Sequence, residues 1–252
     1  MYRFFSKLAQ KHSRKILLIL TLLVGISLIL AFISLTEATM KKGKKIKTPE
    51  REALIMEALK KAKDFYIQGK PSDAILTLKE CRKNCGDDPR ILTEMGYAYE
   101  LMGDLKKAES FYRKALKKDP EFFAALNNLG NLYLKTGKKE KALELLKKAS
   151  LIQPDSYMVH YSLGLLYQSM GELQNAISEY RVVLSLNQSY PDVYMMLGML
   201  YDKAGNYQEA FKFYSKFLEM YPKGVPEYEK VAHMARERMK ELLSGGNSTT
   251  LH

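Results

Sequence analysis

Across residues 55–224 apolar side chains recur at intervals of three and four, and the same breaks interrupt them at a fixed spacing. Leu126, Leu129, Leu132 and Tyr133 form one such stripe; Ala142, Leu145, Leu146 and Ala149 form the next. That spacing predicts amphipathic helices, each with one buried face. Gly137 stands between the two stripes, where a left-handed stop is easiest for a residue without a side chain. Pro120, Pro154 and Pro222 follow second stripes, and proline lacks the amide that a helix interior needs. The pattern predicts pairs of helices joined by tight turns.

The pairs repeat. Gly96, Gly130, Gly164 and Gly198 are 34 residues apart, as are Tyr99, Tyr133, Tyr167 and Tyr201. Gly103, Gly137, Gly171 and Gly205 keep the same period, and so do Ala108, Ala142, Ala176 and Ala210. Four columns holding one period without an insertion make this a repeat protein. Gly130 and Ala142 take away side-chain bulk where the two helices of a pair would cross.

These columns resemble the tetratricopeptide repeat. Of that family's eight signature columns, residues 89–122 supply Leu92, Met95, Gly96, Tyr99, Ala108, Tyr112, Ala115 and Pro120. Residues 123–156 supply Leu126, Leu129, Gly130, Tyr133, Ala142, Leu146, Ala149 and Pro154. Residues 157–190 give His160, Leu163, Gly164, Tyr167, Ala176, Tyr180 and Val183, with Gln188 in place of the terminal proline. Residues 191–224 give Tyr194, Leu197, Gly198, Tyr201, Ala210, Tyr214, Phe217 and Pro222. One period earlier, 55–88 shows Phe65, Gly69, Ala74 and Leu78 and reads as a degenerate first repeat. The resemblance covers about two-thirds of the chain. It implies an all-α fold, an α-solenoid in which five helix pairs wind into a right-handed superhelix. Residues 225–243 are expected to form a helix that caps the last repeat, as solenoid ends require, and 244–252 a disordered tail.

Before the repeats the pattern changes. Residues 16–35 read ILLILTLLVGISLILAFISL, twenty residues without a charge. As a helix this run is about 30 Å long, the thickness of a bilayer's hydrocarbon core, and it is long for a cleaved signal peptide. One transmembrane signal-anchor helix is therefore expected, between a basic flank at 1–15 and a basic linker at 36–54.

Charge follows that division. The chain carries 40 Lys+Arg against 28 Asp+Glu, a net +12. Residues 1–35 contribute five basic residues and no acid, and 36–51 six basic residues against Glu37 and Glu50. The remainder holds 29 basic and 26 acidic residues, so no nucleic-acid partner is expected. Lys114, Lys117, Lys118, Lys138, Lys139, Lys141, Lys147 and Lys148 alternate with Glu109, Asp119, Glu140 and Glu144, which reads as a solvated outer face. Arg14 and Lys15 touch the span, whereas Lys41 is the first lysine beyond it. This favours a cytoplasmic N-terminus with the repeats outside the cytoplasm, in the manner of single-span bacterial inner-membrane proteins. The opposite orientation would place KKGKKIK on anionic cytoplasmic headgroups.

Candidate chemistry is sparse. Two cysteines make neither a disulfide framework nor a four-thiolate zinc site, and His12, His160, His233 and His252 form no ligand pair. Cys81 and Cys85 lie four apart, a spacing at which a regular helix does not aim two thiols at each other. No phosphate-cradling glycine run is present. No catalytic residue, metal site or cofactor is identified, no small-molecule substrate is expected, and the chain does not read as an enzyme.

Function then rests on the resemblance. It implies that first helices line a concave groove holding a protein or peptide partner, as an extended segment or a helix. Carried over column by column, the lining is Tyr97, Glu100, Asn127, Asn128, Asn131, Met158, Tyr161, Leu165, Met195 and Met199, with Gln168, Met196 and Asp202 beside them. Asparagine offers a peptide backbone both donor and acceptor, and methionine adapts to varied apolar partners. The basic clamp by which some family members hold a C-terminal carboxylate is absent, since Leu59, Thr93, Glu94, Met158 and Ser162 stand there. The expectation is a membrane-anchored scaffold or chaperone-like protein serving envelope secretion or complex assembly. The alternatives are a cytoplasm-facing adaptor and a regulatory partner subunit of an enzyme complex.

Overall fold

A computed structural model of the chain describes residues 48–246, and the membrane span expected at 16–35 lies outside them. The chain divides into two units, Met1–Arg51 and Glu52–His252, and the packing described below belongs to the second. Among the described residues there are eleven helices and no strand. They are α1 (Thr48–Ile67), α2 (Pro71–Cys85), α3 (Pro89–Leu101), α4 (Leu105–Lys118), α5 (Phe123–Lys135), α6 (Lys139–Ile152), α7 (Tyr157–Met170), α8 (Leu173–Leu186), α9 (Pro191–Lys203), α10 (Tyr207–Met220) and α11 (Pro226–Gly246). Two boundaries differ from expectation. α1 begins at Thr48, inside the expected linker, because the REALIMEALKK run contains no helix breaker. α11 runs to Gly246, past the expected start of the tail.

Local chemistry sets the turns. Gly69, Gly103, Gly137, Gly171 and Gly205 divide the helices of each pair, all with positive φ. At Gly103, with φ of 79°, the chain reverses so that the Asp104 amide returns to the Tyr99 carbonyl at 2.9 Å. Asp104 then caps α4 by accepting from the Lys107 amide, and Asn206 caps α10 by accepting from Glu209. Pro89 and Pro191 open α3 and α9, where a missing amide is harmless.

α4, α6, α8 and α10 each pack on the first helix of their own repeat and on the helix that follows, and α2 packs on α3. Neighbouring first helices also meet, α3 with α5 and α5 with α7, and so form one continuous inner face. The small-residue column Ala108, Ala142, Ala176 and Ala210 is fully buried at the crossings. Opposite it the glycine column admits a ring. A Cβ on Gly198 would stand 2.5 Å from the Tyr214 ring, and one on Gly130 2.7 Å from Leu146 Cγ. Gly198→Ala should therefore lower stability by about 1–3 kcal/mol in denaturant titrations. Gly130→Ala should cost less, because a leucine end rotates and a buried ring does not.

The tyrosine ring on α4, α8 and α10 does more than fill space. The Tyr112 hydroxyl donates to Glu100 at 3.1 Å, Tyr180 to Gln168 at 3.2 Å, and Tyr214 to Asp202 at 3.3 Å. In the third repeat both partners change together: Leu146 replaces the tyrosine and Leu134 the acceptor. A buried hydroxyl needs a partner, and an apolar pair needs none. Burial against the neighbouring carboxylate pushes the Tyr112 phenol up, and the Tyr214 phenol likewise.

α11 stands where the first helix of a sixth repeat would stand. Its Tyr228 donates to Asp192 at 3.1 Å and its Arg238 to Asp202 at 2.7 and 2.8 Å, in each case from 36 residues further on. Ala232 and Ala235 close over Met195, Tyr214, Phe217 and Tyr221.

The inner face as a candidate binding surface

The inner face is built by the helical rows that the second helices leave uncovered. Met56, Tyr97, Met158 and Met199 project from α1, α3, α7 and α9; the last three are 39%, 52% and 41% exposed. Tyr97 stands edge-on to Tyr66, ring centroids 5.1 Å apart, and the Tyr66 hydroxyl donates to the Glu94 carbonyl. Tyr161 is half-buried against Tyr190 at 5.3 Å and Tyr180 at 5.9 Å. Burial raises its phenol to about 12. Leu165 is half-buried, and so are Asn127, Asn128 and Asn131. Asn127 donates weakly to Asn128 at 3.5 Å, while its own Oδ1 is buried without a hydrogen-bond partner. An orphaned amide acceptor on a candidate peptide-binding face is a ready partner for an incoming N–H once the side chain turns.

Two expected lining residues are placed differently. Met195 is only 7% exposed, because Ala232 and Ala235 of α11 cover it, so it supports the surface from beneath. Glu100 faces inward but is partly committed, accepting from Tyr112 and lying 3.7 Å from Lys135 Nζ. The same holds for Gln168 and Asp202.

The structure also adds residues that the repeat columns did not point to. One concavity of about 500 Å³ is lined by Met195, Met199, Met234, Tyr214, Asp202 and Arg238, joining α9 to the terminal helix. Another of about 320 Å³ lies at the opposite end, with Met56, Leu59, Phe122 and Ala124 as its apolar lining and Lys60, Lys63 and Arg90 at its edge. Glu94 sits in it with its carboxyl pushed up by burial, against the opposing pull of Tyr66 and Lys63. Met234 and Arg238 lie outside the repeat period, so no column could flag them. A fit of α11 to a sixth first helix would have found them.

The Arg238–Asp202 pair ties the end of this surface together. Hydrogen bonding from Arg238 holds the Asp202 carboxyl below its ordinary 3.8. A depressed folded value means the pair contributes fully above pH 3.8 and is lost as pH falls through the folded value. The protection of α11 amides, taken relative to their intrinsic exchange rates, should therefore fall in acid below about pH 4, and Asp202→Asn should flatten that dependence.

Other candidate groups take structural places. His160 contacts Glu179 at 2.7 Å and the Pro154 carbonyl at 3.0 Å, joining α7 to α8 and to the preceding turn. Cys81 is buried at the position that Ala115 and Ala149 take one and two periods further on. Its sulfur nonetheless meets that of Cys85 at 2.6 Å, which a regular helix spacing did not predict. Among the described residues no group of three or more His, Cys, Asp or Glu could hold a metal ion, and no helix is long and apolar enough to cross a membrane.

Comparison with known proteins agrees with this geometry. Four family models described as tetratricopeptide repeat match residues 59–121, 99–163, 159–190 and 191–223, which together run unbroken from 59 to 223. A search of curated proteins found no match. Among solved structures, a crystal structure of MamA is 27% identical with a TM-score of 0.57, covering 62% of this chain and 92% of that one. MamA 41-end from Desulfovibrio magneticus RS-1 is 24% identical with a TM-score of 0.59, covering 66% and 94%. PilF of Pseudomonas aeruginosa is 22% identical with a TM-score of 0.66, covering 77% and 94%. The last two likenesses concern the fold alone.

Proposed function

We propose, on the premise that this chain is a tetratricopeptide repeat protein, that it is a membrane-anchored scaffold holding an apolar polypeptide segment on its inner face. Repeats of this family bind protein partners. The observation that carries the reading is the run of adaptable apolar side chains along that face. Met56, Tyr97, Met158 and Met199 are exposed on four of the five first helices, all but α5, and a concavity lies at each end. Thioethers and phenols give area without fixing one shape, which suits varied apolar segments. Asn127, Asn128 and Asn131 supply the polar contacts that orient a backbone between them. The role is non-catalytic. The anchor is residues 16–35, whose length and lack of charge suit a bilayer, and the repeats lie outside the cytoplasm, where the partner is a secreted or envelope protein.

Site-specific photo-crosslinking in cells tests the binding face. A crosslinker at Tyr97, Met158 or Met199 should capture the same partner, whereas one at Arg181 on α8 should not. Met199→Glu with Met158→Glu should reduce that capture by about tenfold or more without unfolding the domain, since both side chains are already exposed. Capture should depend only mildly on salt. Equal capture by the variant would move the site off this face. Protease added to intact spheroplasts tests the topology. Digestion of the repeats from outside supports the proposed orientation, and protection until lysis reverses it to the cytoplasm-facing adaptor.

A further inference from the structure

The second helices differ in charge. α4 carries six basic residues and one acidic, and α6 four and two, whereas α8 and α10 together carry three of each. The lone acid of α4, Glu109, is already engaged by Lys138 at 3.0 Å, Arg113 at 2.9 Å and the Tyr133 hydroxyl at 3.0 Å. Among the described residues, Lys106, Lys114, Lys117 and Lys147 are exposed and make no ion pair. A shallow cleft of about 480 Å³ along α4 is lined by Lys106, Arg113, Lys114 and Lys117 with Glu109 and Ser110. One turn beyond Lys147, Leu151 is 83% exposed on the same helix.

From this we infer that the outer face of α4 and α6 is a docking surface for an anionic lipid bilayer. Lysines on long apolar stems suit headgroups, keeping the charge at the phosphate level while the stem lies along apolar surface. An isolated exposed leucine among them can enter the acyl boundary. A single-stranded nucleic acid would want aromatic platforms, and the fully exposed apolar residue here is aliphatic. An acidic protein would be matched by charge alone, and Leu151 would then be left in water. The inference rests on the anchored reading above, which holds the repeat domain at a membrane. Each lysine adds attraction that fades within a Debye length, so the contact is strong only at the lipid surface and in modest salt. The polypeptide-binding inner face would then point away from the bilayer.

Lysine acetylation footprinting of the full chain tests this. The chain is placed in nanodiscs of phosphatidylcholine alone, or with about 30% phosphatidylglycerol. Lys106, Lys114, Lys117 and Lys147 should label at least about threefold more slowly in the anionic discs, and about 0.5 M salt should restore their rates. Lys216 on α10 and Lys230 on α11 should be unchanged. Equal labelling of the four lysines in both discs overturns the inference. So does protection that polyglutamate or RNA confers without lipid and that anionic discs do not. If the chain elutes free of both discs, the anchor reading fails separately. Flotation with vesicles of the same two compositions then decides: association confined to anionic vesicles upholds the surface, and none with either overturns it.

Discussion

Replacing Tyr180 with alanine will lower the stability of the repeat domain by about 3–5 kcal/mol, as large-to-small changes of buried rings do. The side chain is fully buried, and its ring lies where a Cβ on Gly164 would come within 2.6 Å. Truncation leaves a void between α7 and α8 and strips Gln168 of its donor. Equilibrium urea unfolding followed by helical circular dichroism measures the loss. The glycine makes the test sharper. Gly164→Ala alone should cost about 1–3 kcal/mol, but in the Tyr180→Ala background its cost should fall close to zero. If the two changes simply add, ring and glycine are not the complementary pair described. Tyr180→Phe separates packing from the hydroxyl and should cost about 1 kcal/mol.

Ending the chain after Val225 should be as damaging, by roughly 5 kcal/mol, and should also produce self-association. Four large side chains, Met195, Tyr214, Phe217 and Tyr221, would lose their cover at about 1.5–3 kcal/mol for each that becomes fully exposed, partial exposure costing less. The Asp202 carboxylate would lose Arg238, and Asp192 would lose Tyr228. Size-exclusion chromatography with light scattering reads the association, and denaturant titration the stability. A truncated chain that stays monomeric and melts unchanged would show that α11 does not cap the array. Arg238→Ala, which keeps the helix, should cost far less because the pair is partly solvated.

The repeat architecture was legible in the sequence because its restraints are local and periodic. Gly103 and Gly137 occupy turns whose φ only glycine adopts cheaply, and the alanine and glycine columns meet across one helix crossing. A thirty-four-residue period repeats each restraint, so every column is read several times. The candidate binding surface was less legible. Tyr97, Met158 and Met199 are exposed where their columns placed them, but Met195 is covered by α11, which follows no repeat column. Glu100 was assigned to the face without knowledge that Tyr112 reaches across to it. Both facts depend on what a neighbouring helix does, and single-column reading is blind to that. The charge of α4 and α6 was visible as a count, and its acids were read as balancing it. The structure changes that reading for α4, where Glu109 is spent on three neighbours, while Glu140 and Glu144 of α6 stay exposed.

The placement of α11 has a consequence for how such a molecule can change length. Because the last helix stands where another unit would start, it docks on the last repeat through contacts to Asp192 and Asp202 that lie within residues 191–224. A copy of residues 191–224 inserted ahead of Val225 would present α11 with the same aspartates and the same aromatic cluster that it meets now. Arrays governed by nearest-neighbour contacts accept such copies without redesign of their ends. Gene duplication could therefore lengthen this scaffold one unit at a time, each copy adding another Met-and-Tyr-bearing rung while the terminus is reused unchanged.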